Sequence, residues 1–550
     1  MRVEFAERKG FEPSIPFRGI HTFQACSFNH SDTSLNRVAN VAFLVSFHKL
    51  KFWLLPLANH QVLSKKTFLS CVHAIIIALI GCPFLAFAQP NSNPKPLADS
   101  IWLRQFSSFL AIRSFSGQEY SAGHFLQQMG QTTGLETACL NCTDTSINIA
   151  ISLYPLTDRK PNLIFLSHLD VVPALDSAEW RFHPFSGTQT DTDFVSRGAL
   201  DAKGLTFMHL MALCRFKDSL TGELPFNITV LAVCGEESGG FRGAKVLVEQ
   251  FMDLLIPWAV YGEGGSGVQK VVPSHPEQTV FGVSVAEKVN LWLRLDLKFN
   301  SFGHGAAPPS SYVNKDMLKA LTKLGQIEGR IEFHPTTKRM FRQLGQMEGG
   351  FKGWIIKHLH WRIFRPVVRR MLRDEPVFAA LLQNTAVLTN IFNPPGPPNQ
   401  ISTRATAFLD CRLLPETKIK KFIRVIKYGL IEPRFKVSII NQCPEADESS
   451  PKLPEYTCFA SALEETFPGS RSMPILFPAS SDNNYFRQFG IPTYGITPVL
   501  LSRQGLESIH GPNESLSIAG LQSGAEVFYR FLQKIKGQKP VLHFTPILNR

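Results

Sequence analysis

Short apolar runs separated by amphipathic segments run along the chain from Pro94 onward. Residues 162–166, 226–233 and 258–261 are brief and almost uniformly apolar, which predicts strands buried on both faces. Between them, 205–216 and 242–251 carry apolar residues at helical spacing, and 98–112 reads as an amphipathic helix. Strands alternating with helices predict an α/β unit with a mostly parallel sheet. The texture changes after Glu287. Residues 289–297 alternate strictly between apolar and polar, the mark of a strand with one wet face. Residues 316–324 are helical, 403–413 alternate again, and 474–498 with a helix over 516–534 return to the first style. The expected organisation is an α/β unit over 95–285 and 435–540, split by an α+β unit over 286–434. Inside the second unit, 329–373 is a helical insert dense in Lys, Arg and aromatic residues.

The first ninety residues follow another pattern. Residues 1–66 show no sustained period, and Lys65-Lys66 then precede an apolar run over 68–85 that ends in Ala86-Phe87-Ala88. A basic flank, an apolar core and an A-x-A site predict a signal peptide at 67–88. Signal peptides begin proteins, so 1–66 reads as an upstream segment outside the translated product. No Met lies between Met1 and Met129, so that reading requires a non-Met start codon. Leu79-Ile80-Gly81-Cys82 offers a lipoprotein box instead, and about 18 apolar residues can also form a membrane anchor. All three readings export the rest of the chain, to the periplasm or the medium.

Composition adds bounds. A chain of 550 residues exceeds one core of about 100–200 residues. With 44% hydrophobic and 18% charged residues it is neither disordered nor a multi-span membrane protein. The net charge of +13 raises nucleic acid or anionic membrane as partners, and export sets nucleic acid aside. The basic insert is taken as a solvated lid helix. Of ten cysteines, Cys26, Cys71 and Cys82 precede the folded part, and seven cannot all pair. Cys139-Leu140-Asn141-Cys142 is expected to form a small loop disulfide.

Candidate chemistry collects at strand ends. Ser167-His168-Leu169-Asp170 follows a buried strand, and residues i and i+2 share a face, so Asp170 can fix the tautomer of His168. Asp201 precedes a helix, where its plain reading is an N-cap. Cys234-Gly235-Glu236-Glu237 places two carboxylates together, which repel unless a cation joins them. Gly262-Glu263-Gly264-Gly265 follows a further strand. Ligand sites in parallel α/β sheets lie at the carboxyl ends of strands, so these positions should converge on a metal. The G-x-G-x-x-G of 262–267 is set aside as a dinucleotide motif because no helix pattern opens after it.

These linked motifs, together with Ser508-Ile509-His510-Gly511-Pro512-Asn513-Glu514, resemble the co-catalytic zinc exopeptidase family of aminoacylase, glutamate carboxypeptidase, succinyl-diaminopimelate desuccinylase and carboxypeptidase S. Trp180, Pro184-Phe185-Ser186-Gly187 and Arg197-Gly198-Ala199 are closest to the carboxypeptidase S branch. The resemblance implies a catalytic α/β domain interrupted by an α+β lid that also dimerises. It implies two Zn2+, with Co2+ or Mn2+ as substitutes: His168 and Glu263 on one, Glu237 and His510 on the other, Asp201 bridging. Asp170 would orient His168 and Glu236 would be the general base. His304, in Ser301-Phe302-Gly303-His304-Gly305, would stabilise an oxyanion, often across a dimer. Asn399 and Arg412 align with substrate-binding positions, Arg412 otherwise forming a strand salt bridge; Ser481, Asp482 and Arg487 match a segment near the pocket. One departure stands out: the branch has Asp-Glu-Gly-Gly where this chain has Gly262 before Glu263.

The implied activity is release of a C-terminal amino acid from a small peptide. Hydrolysis of N-acyl amino acids is the alternative, and Phe341, Phe351, Trp354, Trp361 and Phe364 in the insert hint at an apolar group or a local core. A metal-poor binding protein of the same fold is the rival from another class, resting on Gly262 alone.

Overall fold

The computed structural model describes residues 100–174, 177–300, 303–327, 329–430 and 433–543. The upstream segment, the signal peptide and Cys26, Cys71 and Cys82 lie outside the described residues. Among those described, no helix is long and apolar enough to cross a membrane.

The apolar runs become the middle of an eight-stranded sheet. Its order is Glu136–Leu140, Asn148–Ser152, Asn227–Val233, Asn162–His168, Pro257–Val268, Thr493–Leu500, Val280–Glu287 and Arg471–Phe477. The four central strands, Asn227–Val233 to Thr493–Leu500, run parallel, and antiparallel pairings flank them. Asn162–His168 and Asn227–Val233 are buried at every position, because helices cover both faces. On one face, Lys203–Ser219 and Ile518–Ile535 pack across the sheet around Phe165, Phe528 and Phe531. On the other, Ala244–Gln250 and Asn483–Arg487 cover Ile164, Leu166 and Val260. A parallel centre sends its carboxyl ends to one edge, where all the candidate residues of this unit are found.

Val280–Glu287 runs through Lys288 directly into Val289–Lys298, which belongs to a second sheet. That sheet has the order Thr385–Phe392, Arg404–Leu413, Val289–Lys298, Lys436–Gln442, all antiparallel. Its last strand lies beyond residue 434, where the sequence pattern places the end of this unit. Leu291, Leu293, Leu295 and Leu297 face the helices Val313–Gly325 and Ile419–Leu430, as the alternation requires. The junction is pinned. The buried Lys288 ammonium donates to Gln383 O at 2.8 Å, and burial, then the nearby Arg412, pushes its pKa down to about 7.

The helical insert has a different base from the one its place in the sequence suggests. Met340, Phe341, Ile355, Leu359 and Val368 form one core with Val280 and Met473 of the first sheet and with Val272 of the loop before Val280. Phe341 is therefore core, whereas Phe351, Trp354 and Trp361 face outward. Cys139 and Cys142 are disulfide-bonded, as expected.

Phe528 joins the last helix to the sheet, with ring centroids 5.1 Å from Phe165 and 4.4 Å from His209. Phe528→Ala should cost about 3–5 kcal/mol. A urea midpoint close to that of the unsubstituted chain would show that this contact carries little.

Candidate metal centre

His168 closes its strand, Asp201 precedes the helix Lys203–Ser219, and His510 follows the short helix Arg503–Ser508. The N-cap of the helix Lys203–Ser219 is Ala202, not Asp201. The two Asp201 oxygens point at two different histidines: Oδ1 lies 2.9 Å from His168 Nε2, and Oδ2 lies 2.9 Å from His510 Nε2. Glu263 Oε2 is 3.4 Å from His168 Nε2, and Glu237 Oε1 is 3.2 Å from His510 Nε2. Two donor sets result, His168–Asp201–Glu263 and Asp201–Glu237–His510, each with its ligand atoms within 4.8 Å of one another. Asp201 is common to both. An imidazole with two carboxylates suits Zn2+, with Co2+ or Mn2+ also accommodated, so the donors fit the group that the sequence implies.

Glu263 occupies a break in the sheet. Gly262 pairs with Gly495 and Gly265 with Ile496, so Glu263 and Gly264 form a bulge, and the strand then continues to Val268. That continuation also disposes of the dinucleotide motif. Gly262 is explained here: a Cβ at this position would lie 2.1 Å from Asn483 Oδ1. Asn483 fills the space an Asp would need, and its Nδ2 donates to Glu263 O at 2.8 Å and to Glu287 Oε1 at 2.8 Å. The chain has exchanged a side chain before Glu263 for a bracket behind it.

Two buried carboxylates hold the ligand loops. Asp170 accepts the backbone N–H groups of Glu236 at 3.1 Å and Glu237 at 3.0 Å, and the Ser116 hydroxyl at 2.6 Å. The nearest partner of His168 Nδ1 is the Asp170 carbonyl at 2.9 Å, with its carboxylate at 3.6 Å. Asp170 thus orients His168 mainly through its backbone and uses its side chain to fix the Glu236–Glu237 turn. Glu514 does the same for Asp201. It accepts from the backbone N–H groups of Gly198, Leu200 and Asp201 and pairs with Arg197 at 2.7 Å. Sequence reasoning gave Glu514 no role. Its place four residues after His510 was the available signal.

The electrostatics follow from crowding of like charge. Burial, then Glu263, pushes Glu236 well above the usual carboxylate range. Burial lifts Glu263 to about 7, against the bond to His168. Burial opposes charge on Asp201, yet its bonds to His168 and His510 hold it well below the usual range. His510 is raised to about 10 by Asp201 and Glu237. Burial also works against His168, but Asp170, Asp201 and Glu263 raise it well above its ordinary value. Both Asp482 oxygens are buried without a hydrogen-bond partner among the described residues, and burial, with Asp170, Glu263 and Glu287 adding, raises its pKa well above the usual range. Ser481 and Arg487 bind Glu287, a supporting role.

The second unit's candidates pair among themselves. His304 Nε2 lies 3.1 Å from the Asn399 side-chain amide, across the two-stranded pairing of Gly303–His304 with Gln400–Ile401. Arg412 forks onto Asp410 of its own strand at 3.0 and 3.1 Å. Its salt-bridge reading is therefore the one seen, and a substrate carboxylate would have to displace Asp410.

A family model described as peptidase family M20/M25/M40 matches residues 164–534. The N-fatty-acyl-amino acid synthase/hydrolase PM20D1 of Mus musculus is 25% identical over 403 residues, 71% of this chain and 78% of that protein. The probable carboxypeptidase S-like 2 of Dictyostelium discoideum is 24% identical over 383 residues, 68% of this chain and 71% of that protein. The M20 family metallo-carboxypeptidase Sso-CP2 from Sulfolobus solfataricus superposes with a TM-score of 0.60 at 18% identity, over 80% of this chain and all of that one. That likeness is one of fold.

Two outcomes are expected. The raised pKa values of His168 and His510 favour protonated rings without metal, and ligation must displace those protons, so affinity should fall as the pH is lowered. Titration with Zn2+ at neutral pH should release protons from both imidazoles and in part from Glu263, read by calorimetry in buffers of different ionisation heat. A binding heat independent of buffer would mean that neither the imidazoles nor Glu263 carries a proton to lose. Separately, Gly262→Ala should destabilise by about 1–3 kcal/mol through overpacking. Asn483→Ala should offset part of that loss in the double variant, and strictly additive losses would show that the two residues do not meet.

Proposed function

Because this chain belongs to the peptidase family M20/M25/M40, whose members are metal-dependent hydrolases of amide bonds, we propose that it releases an amino acid with a free α-carboxylate from a small peptide or an N-acyl amino acid. The observation that carries the reading is Asp201, shared between His168 and His510 at 2.9 Å each, beside the buried Glu236. His168, Glu263 and Asp201 would hold one zinc ion; Glu237, His510 and Asp201 the other.

Bound divalent cations would supply Lewis acidity, lowering the pKa of a water and polarising the scissile carbonyl. The chain's own residues do the rest. Glu236, fixed by its backbone bond to Asp170, accepts a proton from the attacking water. The carbon–nitrogen bond breaks, and Glu236 returns that proton to the leaving amine. His304, held beside Asn399, would donate to the developing oxyanion once the lid approaches the site, from the same chain or a second copy. We place the enzyme outside the cytoplasm on the strength of the 67–88 segment. The N-acyl reading has one specific support: similarity to relatives named for hydrolysis of N-fatty-acyl amino acids.

Glu236→Gln should lower kcat by about 10²–10⁴-fold on N-acyl amino acids or dipeptides, with metal content unchanged. Amine release measured across both substrate series identifies the preferred amide. Full activity in this variant, or none in the unsubstituted zinc-loaded chain on either series, would overturn the reading.

A further inference from the structure

The charge of this chain is not spread evenly. Residues 335–373 hold ten Lys and Arg and a single acid, Glu348, so this stretch accounts for +9 of the total +13. Glu348 is buried and turned inward, accepting from Ser274 N at 2.8 Å and Ser274 Oγ at 2.7 Å. Arg339 pairs with Glu448, and Arg370 with Asp374 at 3.6 Å. Among the described residues, Arg342, Lys352, Lys357, Arg362, Arg365 and Arg369 form no salt bridge.

The same stretch displays apolar side chains that a solvated helix would bury. Phe351 is 57% exposed, Trp354 43%, Trp361 44% and Ile363 76%. The three aromatic residues are contiguous. Phe351 stacks on Trp354 at 6.0 Å, Trp354 meets Trp361 edge-on at 5.7 Å, and His358 lies 4.3 Å from Trp361. Beside this platform opens a cleft of about 360 Å3 lined by Arg342, Gln346, Lys357, His358, His360 and Trp361. Burial lowers the pKa of His360, and Lys338, His358 and Arg342 add to it, which reflects how closely the cations crowd there.

We propose that this face of the insert docks on an anionic lipid surface, with Trp354 and Trp361 entering the interface and the unpaired arginines and lysines meeting phosphate and carboxylate headgroups. The chemistry selects that partner. Tryptophan prefers the headgroup level, and basic clusters are drawn to anionic leaflets within a Debye length. A nucleic-acid groove would have called for stacking residues along a track, not a compact aromatic patch. The solvated-lid reading drawn from charge alone does not account for the exposed aromatic platform.

The test is sedimentation of the full chain with phosphatidylcholine vesicles, with and without phosphatidylserine. The readout is the phosphatidylserine-dependent increment, which subtracts whatever 68–85 contributes to both. The increment should shrink as salt rises. It should fall about tenfold or more in Arg362→Glu/Arg365→Glu/Arg369→Glu, and fall also in Trp354→Ser/Trp361→Ser, with melting temperature and hydrolysis of a soluble substrate unchanged. The matching triple Arg→Lys variant should keep it. An increment unchanged by charge reversal overturns the proposal, as does its loss in the Lys variant. Dissociation of a dimer by the Trp pair with the increment intact would assign this face to a second copy of the chain, and overturn it too.

Discussion

Asp201 is the one carboxylate that both halves of the centre use, and the pocket around it holds more negative charge than burial tolerates. Glu263, Asp482 and Glu237 raise the proton affinity of Glu236, Glu263 raises that of Asp482, and two imidazoles supply the only histidine cations in the two donor sets. In the metal-free chain, protons on His168 and His510 occupy the electrostatic role that divalent ions would take. The rest of the local architecture follows from keeping these repelling groups in place. Asp170 spends its carboxylate on the Glu236–Glu237 turn, and Glu514 spends its own on the loop that presents Asp201. Each is a buried charge made tolerable by several N–H donors, the condition under which such groups are stable.

How the sheet is built decides where this happens. A parallel centre delivers His168, the Glu236–Glu237 turn and Glu263 to one edge without any contact between their strands' loops being designed singly. The bulge at Glu263 is a local correction to that delivery: the strand would otherwise carry this residue past the point where its side chain can reach His168. Asn483, from the opposite end of the chain, secures the bulge from behind. The second sheet is attached through a continuous strand run and a buried Lys288, not through a loose linker. His304 and Asn399 are paired with each other within the described residues of this second unit.

Much of this was legible in the sequence. Uniform apolar runs marked the central strands, strict alternation marked Val289–Lys298, and acidic or histidine residues at strand ends marked the centre, because those features are local. What could not be read depends on distant partners. The conflict between a Cβ at 262 and Asn483 joins residues far apart in the chain, and nothing near Gly262 announces it. Glu514 looks like any surface acid until its three N–H donors are seen. Arg412 carried two equally plain readings, and Asp410 two residues earlier was the unheeded clue. The insert's charge and aromatics were visible, but not which of them point outward. That depends on its packing against Val280 and Met473 of the first sheet and Val272 of the loop before Val280.

The order of residues along the chain has a consequence for biosynthesis. His168, Asp201, Glu237 and Glu263 all emerge from the ribosome in the first half of the polypeptide. Thr493–Leu500, His510 and Glu514 are among the last segments made. A nascent chain therefore holds an incomplete donor set, with the Asp201 loop lacking the carboxylate that shapes it and the central sheet lacking a strand. Hydrolytic competence arrives only with chain completion. An enzyme assembled in this order gains both donor sets only after its last strands have been made.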